Sequence, residues 1–599
     1  MKYEITTERE KYLTARGYTI LTACPGSGKT TSIVYKLHTI SKECQVKYGT
    51  YAGVACLSFT NKACDEILSK YKSMHDETLI YPHIVSTIDS FITQYVTLPF
   101  WYLFPGLEIR PSIVNDDALI DRILQIQYIK DGVKKETYTR EITIFGHEYY
   151  TKYEPKNIWK ECSGYSFKGT LITDPTFTNY ARAVFKSKLE RGFITSQDAS
   201  YIGYYILHKH KEIAKALALK FPYIIIDEAQ DTSELHHKIF DRLKECGVKN
   251  IEYIGDLYQS IYQWRNARPE LLEDKIKCLD WTHLHLTENR RSNQRIIDLY
   301  SLLRKKSDPK IISYKVDDQG IDVLIYKYDK SNIKAIIDHF HSICQDKKLK
   351  NGHVLTRGNS FCRQIQGIVQ ELRYWKSDIP YSIIEAKKEF NNDSIDNSFD
   401  RVRHIVANCK FKFNEYKAKR NFIIESKLDN LFNMQIMRFL LNIPSLDLTL
   451  AEWTTNTEIL LQKVFSLNEK PNFQIYKRIK GETMSILQNR STKLYYSDQN
   501  NYKNTSLPVK TIHKVKGATF DAVLLFLSEK SSGKSISLNE FKKTVTALSE
   551  KQRLIYVACS RATQFLAFAV PTSIPDAEII QKLGNNVIIK NINLQGSLF

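Results

Sequence analysis

The segment that decides the fold begins at Tyr18, ends at Ser32 and reads Tyr-Thr-Ile-Leu-Thr-Ala-Cys-Pro-Gly-Ser-Gly-Lys-Thr-Thr-Ser. Its mostly apolar beginning predicts a buried strand over Tyr18–Ala23. Two glycines then mark a loop, and the residues from Lys29 onward are expected to open a helix. A strand, a glycine-containing loop and a helix in this order are typical of a phosphate-binding P-loop, here with Ala23 in place of the first glycine.

A P-loop surrounds the phosphates of a nucleotide with backbone N–H groups, one lysine and one hydroxyl. Lys29 is predicted to reach the β- and γ-phosphate oxygens, and the Thr30 hydroxyl to bind Mg²⁺. An ordinary glycine-containing turn is the alternative, and the strand–loop–helix context disfavours it. ATP and Mg²⁺ are therefore the predicted cofactors, and the predicted ATP-binding residues of the loop are Ala23, Cys24, Pro25, Gly26, Ser27, Gly28, Lys29, Thr30 and Thr31.

A second apolar segment ends in two acids, as expected for the other half of such a site. Residues 221–231 read Phe-Pro-Tyr-Ile-Ile-Ile-Asp-Glu-Ala-Gln-Asp. Asp227, at the end of this predicted strand, is expected to hold Mg²⁺ directly or through water. Glu228 is expected to orient the attacking water or to take its proton. A solvated acidic turn is a weak alternative, because the residues just before the acids are nearly all apolar.

Composition and charge narrow the class of protein. The chain has 599 residues, of which 43% are hydrophobic and 25% charged, as in a globular protein with several cores. Its formal net charge of +20 favours a polyanionic partner, with a merely lysine-rich surface as the alternative. No membrane span or signal peptide is expected. The 11 cysteines form no C-x-x-C pair, so neither zinc nor an iron–sulfur cluster is expected, and a cytoplasmic location is predicted.

Strand-like and helix-like segments alternate in two parts of the chain, which predicts an α/β fold with doubly wound cores. Strand-like runs occur first at residues 18–23, 53–59 and 223–227, and again at 251–255, 353–356, 510–512 and 522–526. Two stretches, 91–191 and 385–506, interrupt the alternation and are interpreted as insertions.

Further motifs follow in order along the chain. They are Phe59-Thr-Asn-Lys-Ala63, Gly255-Asp-Leu-Tyr-Gln-Ser-Ile-Tyr-Gln-Trp-Arg265, Thr511-Ile-His-Lys-Val-Lys-Gly517 and Arg553-Leu-Ile-Tyr-Val-Ala-Cys-Ser-Arg561. Together with the P-loop and the acidic segment, they resemble the UvrD/Rep/PcrA family of superfamily 1A helicases over nearly the whole chain. The DEAQD and GDxxQSIYxWR forms are specific to this branch among P-loop motors.

The resemblance implies two RecA-like domains with ATP between them, each carrying an inserted, mainly helical subdomain. The implied boundaries are 1–92 and 192–275 for the first RecA-like domain (1A), 93–191 for its insertion (1B), 276–384 and 507–599 for the second RecA-like domain (2A), and 385–506 for its insertion (2B). The resemblance also implies that Arg291 and Arg561 stabilise the γ-phosphate during its transfer, and that Gln259 senses it.

Three positions depart from the family pattern, and all concern the base or sugar of the nucleotide. Arg9 stands where the family has a Gln that reads adenine, Arg290 replaces a Tyr that stacks on it, and Thr519 replaces a Glu. Arg9 has donors but no acceptor, so it cannot satisfy both the amino group and N7 of adenine. Arg9 and Arg290 are still predicted to bind the nucleotide, with weak discrimination among bases. The alternative is that Glu8 or a backbone carbonyl reads the amino group.

The resemblance places a track for single-stranded DNA on both RecA-like domains. Motors of this kind stack bases on aromatic side chains, and Phe59, Tyr262 and Trp264 occupy the stacking positions. Core packing would be the better interpretation of an isolated aromatic residue, and a structural role is the main alternative for His513. The positions that match contacts to phosphate, sugar or base edges are Thr60, Asn61, Thr87, Arg265, Arg357, Asn359, His513 and Lys516.

Three functions are considered. The leading prediction is an ATP-dependent translocase and helicase on single-stranded DNA, unwinding tailed duplex DNA and moving 3′ to 5′, a direction that rests on the resemblance alone. The second is a DNA-stimulated ATPase that switches or loads a partner nuclease in a phage-defence system of Gabija type, which the short second insertion favours. The third, a DNA-binding protein with an inactive ATP site, is disfavoured by the intact Lys29, Asp227, Glu228 and Arg561.

Overall fold

The structure is a computed structural model of the chain and forms two compact units. One contains Met1–Ile113, Phe145–Ile365 and Asn504–Phe599, and the other contains Val114–Ile144 and Gln366–Lys503. The residues that the structure describes are 4–113, 124–130, 132–139, 166–167, 170–171, 186, 188–190, 192–261, 267–315, 321–329, 331–366, 374–391, 394–411, 415–476, 478–479, 482–483, 488–489, 491–492, 506–530, 535–542 and 549–592.

The first core of the larger unit is a six-stranded parallel sheet. Its strands are Tyr18–Ala23 (β1), Val54–Ser58 (β2), Ile84–Thr87 (β3), Tyr223–Asp227 (β4), Asn250–Gly255 (β5) and Thr282–Leu286 (β6). They occur in the spatial order β6-β1-β5-β4-β2-β3. The carboxyl ends of β1 and β4 lie at the same edge of the parallel sheet with β5 between them, so the P-loop and the acidic pair leave the sheet at the same edge.

Helices cover both faces of this sheet, which explains why its central strands are apolar without alternation. Within β4, Ile224 and Ile226 pack into one hydrophobic cluster and Ile225 into the cluster on the opposite face. The helices that belong to this part of the chain are Thr7–Thr14, Lys29–Tyr48, Asn61–His75, Ile88–Ile92, Ser196–Lys209, Lys211–Lys220, Glu234–Glu245 and Pro269–Ile276.

The second core is another six-stranded parallel sheet, with the spatial order β9-β8-β10-β11-β7-β12. Its strands are Val323–Tyr328 (β7), Gly352–Thr356 (β8), Val509–Thr511 (β9), Phe520–Phe526 (β10), Ala562–Pro571 (β11) and Val587–Asn591 (β12). Its helices are Gln294–Ser301, Ile333–Asp346, Asn359–Ile365, Glu550–Cys559 and Asp576–Leu583. The predicted α/β class with two doubly wound cores is confirmed.

One predicted boundary is corrected by the sheet pairing. The sequence placed the end of the first core at residue 275, but β6 pairs with β1 along its whole length, so the first sheet extends to Leu286. The strand Thr282–Leu286 is an edge strand that reads Thr-His-Leu-His-Leu and is only partly buried. Because it lacks a continuous apolar run, its pattern did not distinguish it from a connecting segment.

The described part of the smaller unit between residues 379 and 465 is mainly helical. Its core includes Trp375 and Trp453, whose ring centroids are 5.3 Å apart. Its helices are Ile379–Asn391, Ile395–Lys410, Tyr416–Leu428, Asn430–Asn442 and Leu450–Phe465. Much of the first predicted insertion, 93–191, lies outside the described residues, and its described part includes an antiparallel hairpin, Leu124–Lys130 with Val133–Thr139. No helix within the described residues is long and apolar enough to cross a membrane.

Candidate nucleotide site and DNA-facing residues

The P-loop has the backbone geometry that phosphate binding requires. Gly26 and Gly28 have φ angles of 76° and 81°, in the left-handed region that glycine adopts without strain. A Cβ atom on Gly26 would lie 2.5 Å from the Cβ of Arg291 and 2.6 Å from Oδ1 of Asn289. Gly28 precedes the helix Lys29–Tyr48, whose N-terminal N–H groups therefore face the loop.

Lys29 meets both predicted acids. Its ammonium lies 3.1 Å from Oδ1 of Asp227 and forms an ion pair with Glu228. Burial opposes the charge on Lys29, but the two carboxylates outweigh it and raise its pKa. Burial by itself would raise the pKa of Glu228, but the charges of Lys29 and Lys516 lower this pKa to about 2. Glu228 is thus an ionised carboxylate. For Asp227 the effect of burial is larger than the opposing effect of the Lys29 charge, so the pKa of Asp227 is raised.

The backbone of Glu228 is strained in a way that the sequence does not reveal. Its φ angle is 53°, a left-handed conformation that side-chain-bearing residues rarely adopt. Such residues cost roughly 1–3 kcal/mol each and persist where the surrounding structure holds them, often at functional sites. This turn aims the Glu228 carboxylate at Lys29 instead of at solvent.

The second core contributes Arg561, which follows the helix Glu550–Cys559. Arg561 is 2% exposed, and its guanidinium donates a 2.8 Å hydrogen bond to the side-chain oxygen of Gln259 in the first core. Burial, reinforced by the nearby charge of Arg291, lowers the pKa of Arg561 to about 9. Arg291 donates to the backbone oxygen of Ser560 at 3.2 Å. The two arginines are therefore adjacent.

A chain of hydrogen bonds joins the acid of the first core to the arginine of the second. Gln230 donates to Glu228 at 2.5 Å and accepts from the backbone N–H of Asp256 at 3.0 Å. The Asp256 carboxylate accepts from Gln259 at 2.9 Å, and Gln259 holds Arg561. Sequence reasoning missed Gln230 and Asp256 as site residues, although both lie within quoted motifs.

One cavity of about 360 Å³ brings most of the predicted nucleotide residues together. It is lined by residues 23–30 of the P-loop and by both acids, and its size is within the usual range for small-molecule sites. Thr31 and Arg9 are not among the lining residues. The predicted catalytic residues that share the cavity are Lys29, Asp227, Glu228, Gln259, Arg291 and Arg561.

Arg9 contacts the P-loop backbone. Its side chain is 3% exposed and donates to the backbone oxygens of Glu4 at 2.7 Å and Ser27 at 3.0 Å. Arg290 does line the cavity. Its guanidinium carbon lies 4.1 Å from the ring centre of Tyr314, and it donates to the Glu4 carboxylate at 2.8 Å. Arg9 thus supports the phosphate loop, while Arg290 is held by a Tyr314–Glu4 pair that the sequence did not indicate.

The alternative base reader, Glu8, is engaged elsewhere. One of its carboxylate oxygens accepts from the backbone N–H of Thr287 at 2.8 Å, and the other accepts from the Thr287 hydroxyl at 2.7 Å. These bonds fix the start of the chain to the segment just after β6. A base-reading role for Glu8 would require it to give up this contact.

The predicted DNA-binding residues are spread over several places. Phe59 and Thr60 line the same cavity as the P-loop. Thr60 and Thr87 each accept a 3.2 Å hydrogen bond from the backbone N–H three residues later, as helix N-caps. Asn61 and Asn359 are exposed first residues of helices. Tyr262, Trp264 and Arg265 lie outside the described residues.

Arg357 and His513 are neighbours in the second core. A nitrogen of Arg357 lies 3.4 Å from Nδ1 of His513, and another lies 3.6 Å from the Glu550 carboxylate. Burial, with the adjacent Arg357, lowers the pKa of His513 to about 4, so its ring is neutral at physiological pH. Glu550 was not singled out from the sequence.

Lys516 faces the nucleotide cavity. The resemblance implied a DNA contact, but its ammonium forms an ion pair with Asp231 and lines the nucleotide cavity. Asp231 is the last acid of the DEAQD segment. Burial raises the pKa of Asp231 to about 6, against the opposing effect of Lys516. The segment 511–517 therefore reaches the nucleotide site with Lys516, while His513 points toward Arg357.

The same architecture is found in a family of known proteins. Residues 5–279 match the UvrD/REP helicase N-terminal domain, and residues 461–572 match the UvrD-like helicase C-terminal domain. The two matches together cover well over half of the chain. The chain belongs to the UvrD-like superfamily 1A helicases, and its two parallel sheets are the two RecA-like cores of that family.

Individual relatives differ in how much of their length is matched. The ATP-dependent DNA helicase Rep of Buchnera aphidicola subsp. Acyrthosiphon pisum (strain APS) is 26% identical over 65% of the chain and 59% of its own length. The ATP-dependent DNA helicase PcrA of Bacillus subtilis (strain 168) is 23% identical over 67% of the chain and 53% of its own length. The Gabija protein GajB of Bacillus cereus (strain VD045) is 23% identical over 91% of the chain and 94% of its own length. The chain thus spans about six-tenths of the Rep relative.

Proposed function

We propose that the chain is an ATP-dependent motor that moves 3′ to 5′ on single-stranded DNA and unwinds tailed duplex DNA. The observation that carries this proposal is the hydrogen-bonded connection between the two cores at one cavity. Glu228 and Gln259 come from the first core and Arg561 from the second. A site divided in this way couples hydrolysis to closure of the cleft, which is how a chemical step becomes movement.

The residues present fit the chemistry of phosphoryl transfer. Thr30 lines the cavity, and the buried Asp227 carboxylate ends β4 beside it, so these two residues would hold Mg²⁺. The ion, when bound, supplies positive charge against the β- and γ-phosphate oxygens. Glu228 lines the cavity beside Lys29, and its carboxylate can orient the attacking water or accept its proton. Arg291 and Arg561 supply donors to the γ-phosphate, a contribution typically worth about 10³–10⁵ in rate.

Lys29 must exchange partners when the nucleotide binds. Its ammonium now neutralises Asp227 and Glu228, and a triphosphate presents a stronger anion to the same group. Moving Lys29 onto the phosphates would release both acids for the ion and the water. Gln259, which bonds to Arg561, would report the same event to the segment that continues into Tyr262 and Trp264.

Hydrolysis and unwinding assays test the proposal directly. ATP hydrolysis should rise with added single-stranded DNA, and a duplex with a 3′ tail should be unwound while one with only a 5′ tail should not. The affinity for the single strand should fall with salt, with a log–log slope of about −0.7 per neutralised phosphate. Hydrolysis that ignores DNA, or preference for the 5′-tailed duplex, would overturn the proposal.

A second function has one specific observation in its favour. The match to the Gabija protein GajB extends over nearly the whole of both chains, whereas the Rep and PcrA matches cover little more than half of those proteins. On this reading the chain is a cytoplasmic DNA-stimulated ATPase that switches or loads a partner nuclease in phage defence. DNA-stimulated hydrolysis without unwinding of either tailed duplex would favour it. Loss of phage protection with Glu228→Gln in cells would then link the ATPase to that role.

A further inference from the structure

The helix Glu550–Cys559 connects the DNA-facing part of the second core to the nucleotide site. Its N-cap is Ser549, which accepts a 3.1 Å hydrogen bond from the backbone N–H of Gln552, and Arg561 lies just beyond its other end. The helix is about 15 Å long at 1.5 Å per residue. Residues 552–559 are all buried, so the helix is held rigidly by its packing along most of its length.

The first residue of this helix touches a residue expected to hold DNA. The Glu550 carboxylate lies 3.6 Å from a guanidinium nitrogen of Arg357, whose other side meets His513. The Glu550 and Arg357 side chains are 35% and 23% exposed, so both are accessible to a polyanion. The Glu550 carboxylate therefore lies beside the Arg357 guanidinium, in the position where a nucleic-acid phosphate would bind.

We propose that Glu550 is a phosphate mimic that restrains the ATPase, and that single-stranded DNA relieves the restraint by taking Arg357 from it. The inference rests on the proposed function, because it requires a DNA-responsive ATPase. Release of Glu550 frees the first turn of the helix Glu550–Cys559, and the rigid helix transmits that change to Arg561. Glu550 is thus a positioning residue that acts through Arg357 and the helix.

Arg553 is a second cation within electrostatic reach of Glu550. It lies one turn further along the helix, on the face shared by residues three apart. Its Nε and Nη1 atoms are buried and have no hydrogen-bond partner within the part of the chain that the structure describes. Glu270, Glu273, Glu550 and Asp231 are among the acids whose charges act on it.

A DNA phosphate can bind Arg357 more strongly than Glu550 does. At 3.6 Å the Glu550–Arg357 contact is an ion pair without a hydrogen bond, and partly exposed pairs of this kind contribute little. A phosphate can instead accept two parallel hydrogen bonds from a guanidinium, which is the stronger arrangement. Removing the carboxylate should therefore shift DNA affinity by a small but measurable factor.

Glu550→Gln tests the inference, with Glu578→Gln as the matched control. Glu578 is also a glutamate in the first turn of a helix of the second core, and it pairs with Lys582 at 3.4 Å. Both variants lose one negative charge. Glu550→Gln should bind fluorescent single-stranded DNA about two- to fivefold more tightly than the control, as expected for loss of an exposed pair. Its ATPase rate without DNA should rise at least twofold, and its stimulation by DNA should shrink.

A double variant and the wild type distinguish failure of this inference from failure of the proposed function. Adding Arg357→Ala to Glu550→Gln should abolish the gain in DNA affinity, because the gain operates through Arg357. If Glu550→Gln behaves like Glu578→Gln in both assays while the wild-type ATPase responds to DNA, the restraint is wrong and the proposed function stands. If the wild-type ATPase ignores single-stranded DNA, the proposed function and this inference fail together.

Discussion

Replacing Lys516 tests where this lysine acts, because the sequence and the structure assign it to different places. Lys516→Met keeps the aliphatic stem and removes the ammonium that pairs with the buried Asp231. Breaking a buried pair by removing one partner typically costs about 3–5 kcal/mol. The Lys516 side chain is 11% exposed, so we expect the lower end, about 3 kcal/mol.

This cost should depend on pH in a defined direction. Burial raises the pKa of Asp231 to about 6, above its ordinary value, so the folded state keeps a proton that the unfolded state loses. Stability that derives from this group therefore falls as pH rises from about 4 to about 6, and Asp231 is ionised above that. At pH 5.5 much of Asp231 is already protonated and neutral, so less of the free energy of unfolding depends on its ion pair with Lys516. The variant should thus lose about 3 kcal/mol at pH 8 and clearly less at pH 5.5.

Thermal unfolding at the two pH values measures the effect. A loss of 3 kcal/mol corresponds to a Tm decrease of roughly 6–12 °C for a cooperative domain of about 150–250 residues, and to a smaller decrease if the larger unit unfolds as a whole. Lys514→Met is the control, since Lys514 lies two residues earlier on the same turn and is exposed. The variant should also raise the KM for ATP, with no more change in DNA affinity than the control shows. A Tm decrease that is equal at both pH values, or a loss confined to DNA affinity, would refute the assignment to Asp231.

Three further predictions concern the nucleotide and the DNA track. Glu228→Gln should bind ATP and DNA normally but lose turnover, because its carboxylate is the proposed proton acceptor; near-normal hydrolysis would contradict that role. Trp264→Ala should keep basal hydrolysis and lose DNA stimulation, since stacking provides grip; equal loss of both would indicate packing. Arg9→Ala should lower kcat/KM for ATP and GTP alike, because Arg9 supports the P-loop at Ser27. In the wild type a preference for ATP above roughly a hundredfold would contradict weak base selection.

The local pattern of the sequence determined the core of the fold. The strands Tyr18–Ala23 and Tyr223–Asp227 are where the apolar runs predicted them, and both lead into motifs whose composition is tied to phosphate chemistry. Burial on both faces forces such strands to be continuously apolar, so they are visible without tertiary information. The edge strand Thr282–Leu286 was not predicted, because it is only partly buried and carries histidines between its leucines.

Contacts between distant segments were decided only by the tertiary structure. Arg561 and Gln259 are 302 positions apart, and no local pattern states that their side chains share a hydrogen bond. Lys516 and Asp231 are 285 positions apart, and the matched motif alone assigned this lysine to DNA. The motif fixes which residue types are present, but the direction in which each side chain points depends on how the two sheets pack. That packing brings Lys516 to Asp231 on the nucleotide side and Arg357 to Glu550, and burying a charge is costly unless an opposite charge or a hydrogen bond compensates it.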